Sequence, residues 1–372
     1  MAKRRTKRRR RPAANRQATT RVAAAGSIFT PLVDALAVGG LSIIVLGAYT
    51  VYALATGTPG EERINLGDLV IFQALLNWPH FMASYRLLYA TPEVRDRHKF
   101  ASYGVPLLLL ALGAFAVFGA DQPTAGVVFV REDITYALWL IAAFYLAWHY
   151  TGQAWGMVAS FAHLSGIRME RTEQKMIRSG LRALLVWHVL WGVQDVPQYL
   201  GPLAPYLPQM QSMWAVVVVV TLGYGVAGFL RVARRTKRSI PAQMILPWAA
   251  AFVWYLALYV DPATFLLVQL SHSLQYLPFP MRVEANRQRA RGKRDSRLHL
   301  AVYAMLLVFA GLAVFLLPDK LINHGHPGYT IALLIASIVN IHHYFTDGVA
   351  WKISSPEVRK DLFRHYTPAR AQ

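Results

Sequence analysis

Cysteine is absent from the chain. Disulfides, thiolate-held metals, iron–sulfur clusters, cysteine nucleophiles and covalently attached c-type haem are thereby excluded, and any metal must be held by His, Asp, Glu, Asn, Gln or Tyr. Acidic residues are scarce, with 19 Asp and Glu against 39 Lys and Arg. Charge of both signs makes up only 16% of residues, 55% are apolar, and mean hydropathy is +0.31. That balance argues against a soluble globular protein and for a polytopic membrane protein. No nucleophile elbow, P-loop or dinucleotide-binding glycine pattern stands in a suitable context. The clustered HxxxH and HxxHH boxes of integral-membrane desaturases and hydroxylases are missing too.

What the chain has instead is a succession of apolar runs of membrane-spanning length. Hydropathy and breakers place ten spans at approximately 28–54, 68–89, 103–120, 135–163, 181–200, 212–231, 242–260, 262–281, 299–317 and 329–351. The expected fold is therefore all-α, a polytopic integral membrane bundle of about ten transmembrane helices. Residues 27–353 form the transmembrane domain. Residues 1–26 are expected to be a disordered basic cytoplasmic tail, and 354–372 a cytoplasmic C-terminal tail. The run from Ser27 to Leu54 is too long for a signal-peptide core and reads as a retained first span.

Basic residues test this map. With the N-terminus inside, 36 of the 39 Lys and Arg fall in the tails and inner loops, leaving Arg63, Arg131 and Lys320 outside. So one-sided a split is the positive-inside pattern, and it makes both termini cytoplasmic. The net charge of +20 is then a consequence of topology. It does not call for nucleic acid as a partner. The lipid bilayer is the expected partner, with anionic headgroups near the basic tail, in a bacterial inner (cytoplasmic) membrane.

Six of the twelve histidines fall within spans: His80, His149, His188, His272, His342 and His343. At the helical rise, His80, His149, His272 and His343 lie roughly 15–21 Å from the outer starts of their spans. Ionisable groups at such depth face a bundle interior and mark function. Each has a polar companion on its own helix face. Gln153 follows His149, Gln275 follows His272, Asn77 precedes His80, and Asn340 and Asp347 flank His343. His188 is followed by Gln194 and Asp195. We read His80, His149, His272 and His343 as metal ligands, with His342, His188 or Asp347 completing the set. Asn77, Gln153, Gln275, Asn340 and Asp195 are read as groups that orient those ligands.

Two further features shape this reading. The stretch "NWPHFMASYRLLYATPEVR" (77–95) echoes "NIHHYFTDGVAWKISSPEVR" (340–359), each with Asn, His three residues on, and a Pro-Glu-Val-Arg exit. The echo equates His80 with His343 and leaves His342 as the packing residue. On the His149 helix, Gly152 and Gly156 have the small-xxx-small spacing that lets helices approach closely. Tryptophans such as Trp148, Trp155, Trp187, Trp191 and Trp351 read as interface or core residues, some of them lining a substrate chamber.

Imidazole-rich sites suit iron, zinc or copper. The expected function is a membrane-embedded metalloenzyme with a non-haem iron centre. It would oxidise, desaturate or cleave a hydrophobic lipid- or isoprenoid-like small-molecule substrate, with an electron donor or partner subunit where the reaction needs one. Three alternatives remain open at this stage: a haem b electron-transfer protein, a proton-coupled transporter, and a structural subunit of a larger membrane complex.

Overall fold

The computed structural model describes residues 26–57, 66–195, 197–292, 297–326, 328–351 and 356–365. Residues 1–25 of the expected N-terminal tail, and 354–355 and 366–372 of the expected C-terminal tail, therefore lie outside the described residues. Among those described, the chain is helical throughout, apart from one isolated bridge between Phe129 and Thr330.

Helix α1 is Pro31–Thr56, α2 covers 66–88, α3 is Phe100–Phe118 and α4 is Glu132–Leu164. Helix α5 is Arg171–Gly192, α6 Leu207–Thr236 and α7 Ala242–Val260. Helix α8 is Phe265–Tyr276, α9 Pro278–Ala290, α10 Arg297–Ile322, α11 Ile331–Ala350 and α12 Pro356–Leu362. Among the described residues, five helical segments are long and apolar enough to cross a membrane: α1, α3, a segment Leu200–Thr236 that contains α6, α7, and α10. The helices that bear His80, His149, His272 and His343 are not among them, and the His272 helix, at 12 residues, is also too short.

Two expected spans are redrawn. The run placed at 181–200 is a helix that begins at Arg171 and stops at Gly192. Its first turns are amphipathic, with a Glu170–Glu173 capping box at the start. The run placed at 262–281 is divided into α8 and α9 around Leu277, where Pro278 supplies no N–H to the backbone ladder.

Packing separates an inner set of helices from an outer set. Helix α4 packs on α5, α7 and α11, and α11 also packs on α2 and α3. Helix α8 lies against the middle of α2. The apolar helices α6 and α10 present most of their surface outward, with only 17% of their most apolar stretches buried. Close approach is bought with glycine where backbones meet. A Cβ on Gly39 of α1 would sit 2.5 Å from the Leu246 carbonyl of α7, and one on Gly311 of α10 would sit 2.6 Å from Trp78 of α2.

Helices α5 and α6 form an antiparallel pair, clasped at its basic end by Arg235. The guanidinium donates to both Glu173 carboxylate oxygens, at 2.7 and 2.8 Å. Its hydrogen bonds hold the Glu173 carboxyl below the usual glutamate range. Trp214 of α6 donates its indole N–H across the seam to the Ala183 carbonyl, and Trp248 of α7 donates to the Ile177 carbonyl of α5.

Helix α2 is not regular. Residues Gln73–Asn77 form a π turn just before Trp78, Pro79 and His80. Such turns carry one residue more than an α turn and recur at functional sites. After α2 the chain enters a short helix Pro92–Arg97, and after α11 it enters α12, which begins at Pro356. The sequence echo is thus an echo in structure: both Pro-Glu-Val-Arg exits start a short helix.

Candidate metal centre

His80 reaches the bundle interior from α2, His149 from the middle of α4, His272 from α8 and His343 from α11. All four are buried, with His343 wholly enclosed at 0% exposure. Asp347 stands one turn beyond His343 on the same face of α11.

His149 Nε2 lies 2.9 Å from His272 Nε2 and 3.3 Å from His343 Nε2. Asp347 Oδ2 lies 3.6 Å from His343 Nε2 and 3.9 Å from both His80 Nε2 and His149 Nε2. Donor atoms of His80, His149, His343 and Asp347 all fall within 4.8 Å of one another. A zinc-like ion holds nitrogen and oxygen donors at about 2.0–2.2 Å, which puts neighbouring donors about 3.0 Å apart at a right angle and about 3.4 Å apart at the tetrahedral angle. The two separations from His149 match those edges, the carboxylate stands a few tenths of an ångström further out, and the set as a whole spreads to within 4.8 Å. His80 Nε2 is buried with no hydrogen-bond partner. A buried orphan of this kind is costly unless something else satisfies it, and a metal ion is the group that would.

One turn below this layer lies a second one. Tyr276 OH donates to Asp347 Oδ1 at 3.2 Å and accepts from Trp351 Nε1 at 2.6 Å. Ser84 Oγ lies 2.5 Å from the same phenol oxygen. These bonds fix the carboxylate so that Oδ2 is left for the imidazoles. Sequence reading missed Tyr276 and Trp351 as members of the site, yet a signal was present. Ser84, Tyr276 and Trp351 each stand four residues after His80, His272 and Asp347 respectively.

Other expected site residues lie elsewhere. His188 Nδ1 pairs with Tyr255 OH at 3.0 Å, between α5 and α7, away from the other imidazoles. His342 donates from Nε2 to the Ala101 carbonyl at 2.9 Å and stacks on Tyr85. Gln153 donates to the His272 carbonyl and Gln275 to the Val38 carbonyl, so neither amide touches an imidazole nitrogen. Asn340 donates to the Ala336 carbonyl and accepts from Tyr344 OH. Asn77 acts at one remove: its Oδ1 accepts from Ser273 Oγ, which lies 3.4 Å from His80 Nδ1. The side chain of Asp195 lies outside the described residues.

Beside the centre is a cavity of about 340 Å³, within the range of ligand-binding sites. His149, Asp347, Tyr276 and Gln153 give it its polar wall, and Trp148, Trp155, Trp351 and Phe279 its apolar one. Gly152, Gly156 and Gly348 line it as well. The structure corrects the reading of the first two, since a Cβ on Gly152 or Gly156 would meet nothing within 4 Å. They do not seat a neighbouring helix. They leave space.

The chain matches no family model, and comparisons with curated proteins and with solved structures find no match to it.

Proposed function

We propose that this protein is a membrane-embedded, metal-dependent enzyme that oxidises, desaturates or cleaves a hydrophobic small molecule dissolved in the bilayer. One observation carries the reading: four imidazoles and a carboxylate from four helices converge, buried, at the spacing of a coordination shell and at the wall of an apolar cavity. His80, His149, His343 and Asp347 would hold the ion, and His272 stands ready as a further ligand through its contact with His149. Nitrogen-rich donor sets of this sort suit iron, zinc or copper. Iron is the choice that gives oxidative chemistry with one carboxylate and open positions.

Within this reading the protein's own groups have defined work. Tyr276, held by Trp351 and Ser84, fixes Asp347 and puts a phenol on the cavity wall. The apolar lining excludes water from the reacting region. The topology with ten spans, cytoplasmic termini and a bacterial inner membrane belongs to the same proposal, supported by the one-sided placement of basic residues.

The spacing speaks against haem b. Imidazole nitrogens 2.9 and 3.3 Å apart, with His80 and His343 ring centres 4.4 Å apart, leave no slot for a macrocycle between them. A proton path would string its polar groups across the bilayer, whereas these are gathered at one depth.

Elemental analysis with an optical spectrum of the purified protein tests the proposal. About one transition metal per chain and no Soret band are expected. A metal-free preparation with full function would overturn it.

A further inference from the structure

The cavity wall is interrupted by glycine at the places nearest the centre. Gly152 stands three residues after His149, and Gly348 directly follows Asp347. Both glycines are exposed and both line the cavity. A Cβ at Gly152, Gly156 or Gly348 would meet nothing within 4 Å. Gly47 and Gly223 are as open but do not line the cavity, and two glycines of α6 behave oppositely. A Cβ on Gly225 would come within 2.4 Å of Trp248, and one on Gly228 within 2.9 Å of Met176. Gly152, Gly156 and Gly348 therefore frame an opening between α4 and α11, at the level of His149 and Asp347.

The space behind this opening is long. Its lining on α4 runs from Trp148 to Ser160, which is about 18 Å at the helical rise. Leu362 of α12, buried at 1% exposure, lies at the other end. Trp148, at the mouth, is 61% exposed. Gln153 Oε1 is buried with no hydrogen-bond partner and belongs to a residue of the lining. An amide at that point adds a polar contact for the occupant beside those of His149, Tyr276 and Asp347.

We infer that Gly152, Gly156 and Gly348 form a lateral portal through which an extended hydrocarbon chain enters from the bilayer, lies along α4 and presents a carbon to His149 and Asp347. The chain is acyl or isoprenoid, two sources of one chemistry. This inference rests on the reading of the centre as a metal site that acts on a hydrophobic substrate.

Photo-crosslinking of the full-length protein in lipid nanodiscs tests it. Two probes are used, hexadecanoic acid and geranylgeraniol, each carrying a diazirine on the chain. Adducts are expected on the peptides containing residues 148–160 and 344–351, and the probe that gives them identifies the source. In Gly156→Leu the adducts should fall to background while metal content stays that of the wild type. Gly152→Leu is the second variant, in case the first does not fold. Adducts unchanged in both variants, or spread over the lipid-facing helices instead, would overturn the portal. Metal content is measured on the same samples, so the two readings separate. Absent metal with intact, portal-dependent adducts would sink the metal reading and keep the portal. Bound metal without such adducts would do the reverse.

Discussion

The molecule buries imidazole in two regions, and they differ in everything but burial. Between α5 and α7, His188 sits at 2% exposure with neutral partners only, the hydroxyl of Tyr255 and the backbone of Ala143, among packed aromatics such as Trp187 and Trp191. Its neighbours satisfy it. Among α2, α4, α8 and α11, four imidazoles instead turn nitrogen toward nitrogen, leave His80 Nε2 without a hydrogen-bond partner, and border a cavity. A buried histidine is thus not evidence of a site. What distinguishes a site is mutual, incompletely satisfied convergence beside open space.

Substitutions can break this contrast. The largest effect is expected at the convergent region. His343→Ala or His80→Ala should remove bound metal altogether, seen as loss of the metal signal in elemental analysis of a protein that still purifies as a folded species. Tyr276→Phe comes next. It frees the Asp347 carboxylate without removing a donor, and metal affinity should weaken about 10–100-fold, the usual effect of losing a group that orients a ligand. A metal titration monitored by competition with a chelator would measure it. If Tyr276→Phe binds metal as the wild type does, the second layer has no part in holding the ion.

At the satisfied region the readout changes from metal to stability. His188→Ala strands the Tyr255 hydroxyl and should cost about 1–3 kcal/mol, read as a lower melting temperature in detergent with metal content unchanged. Metal loss in this variant would erase the distinction between the two regions. His342→Ala, which removes one hydrogen bond to the Ala101 carbonyl, should cost only about 0.5–1.5 kcal/mol and leave metal in place. The pH dependence at the basic end is smaller still. Arg235 holds the Glu173 carboxyl below its ordinary value. The contribution of that pair is complete above the ordinary glutamate range and is lost as pH falls through the lowered value. Melting temperature should therefore drop in that acid window for the wild type and less so for Arg235→Ala.

Much of this was legible in the sequence, for reasons that also mark where legibility stopped. Composition and apolar runs imply a helical membrane bundle, and among the described residues the chain is helical, with five segments long and apolar enough to span and two of the expected runs redrawn. Depth along each helix brought out His80, His149, His272 and His343 together, because residues at equal depth on neighbouring helices have a chance to meet. Depth says nothing of azimuth, however. His188 shares the depth and faces another partner. The repeat between 77–95 and 340–359 supplied the missing rotation for one pair, favouring His343 over His342, and the structure puts the His343 ring 4.4 Å from that of His80. The glutamines were misjudged since an i+4 neighbour shares a helix face without being bound to share a hydrogen bond. Gln153 and Gln275 were drawn to backbone carbonyls of adjoining helices instead. Glycine spacing was equally ambiguous. Close approach and open space look the same along a chain, and only the neighbours across the gap tell Gly228 from Gly156.

The π turn at Gln73–Asn77 has a consequence for how α2 can change over time. It holds one residue beyond the α-helical count, and each residue advances the helix by about 100°. Point substitutions within α2 leave the phase of His80 intact. The turn itself can lose its extra residue and close to an α turn with its flanks in phase, but a one-residue deletion within Leu66–Phe72 or Trp78–Leu88 would rotate one part of α2 against the other by that angle. Either the early face of α2 or His80 would then point the wrong way. In this segment it is length, more than identity, that selection has to guard.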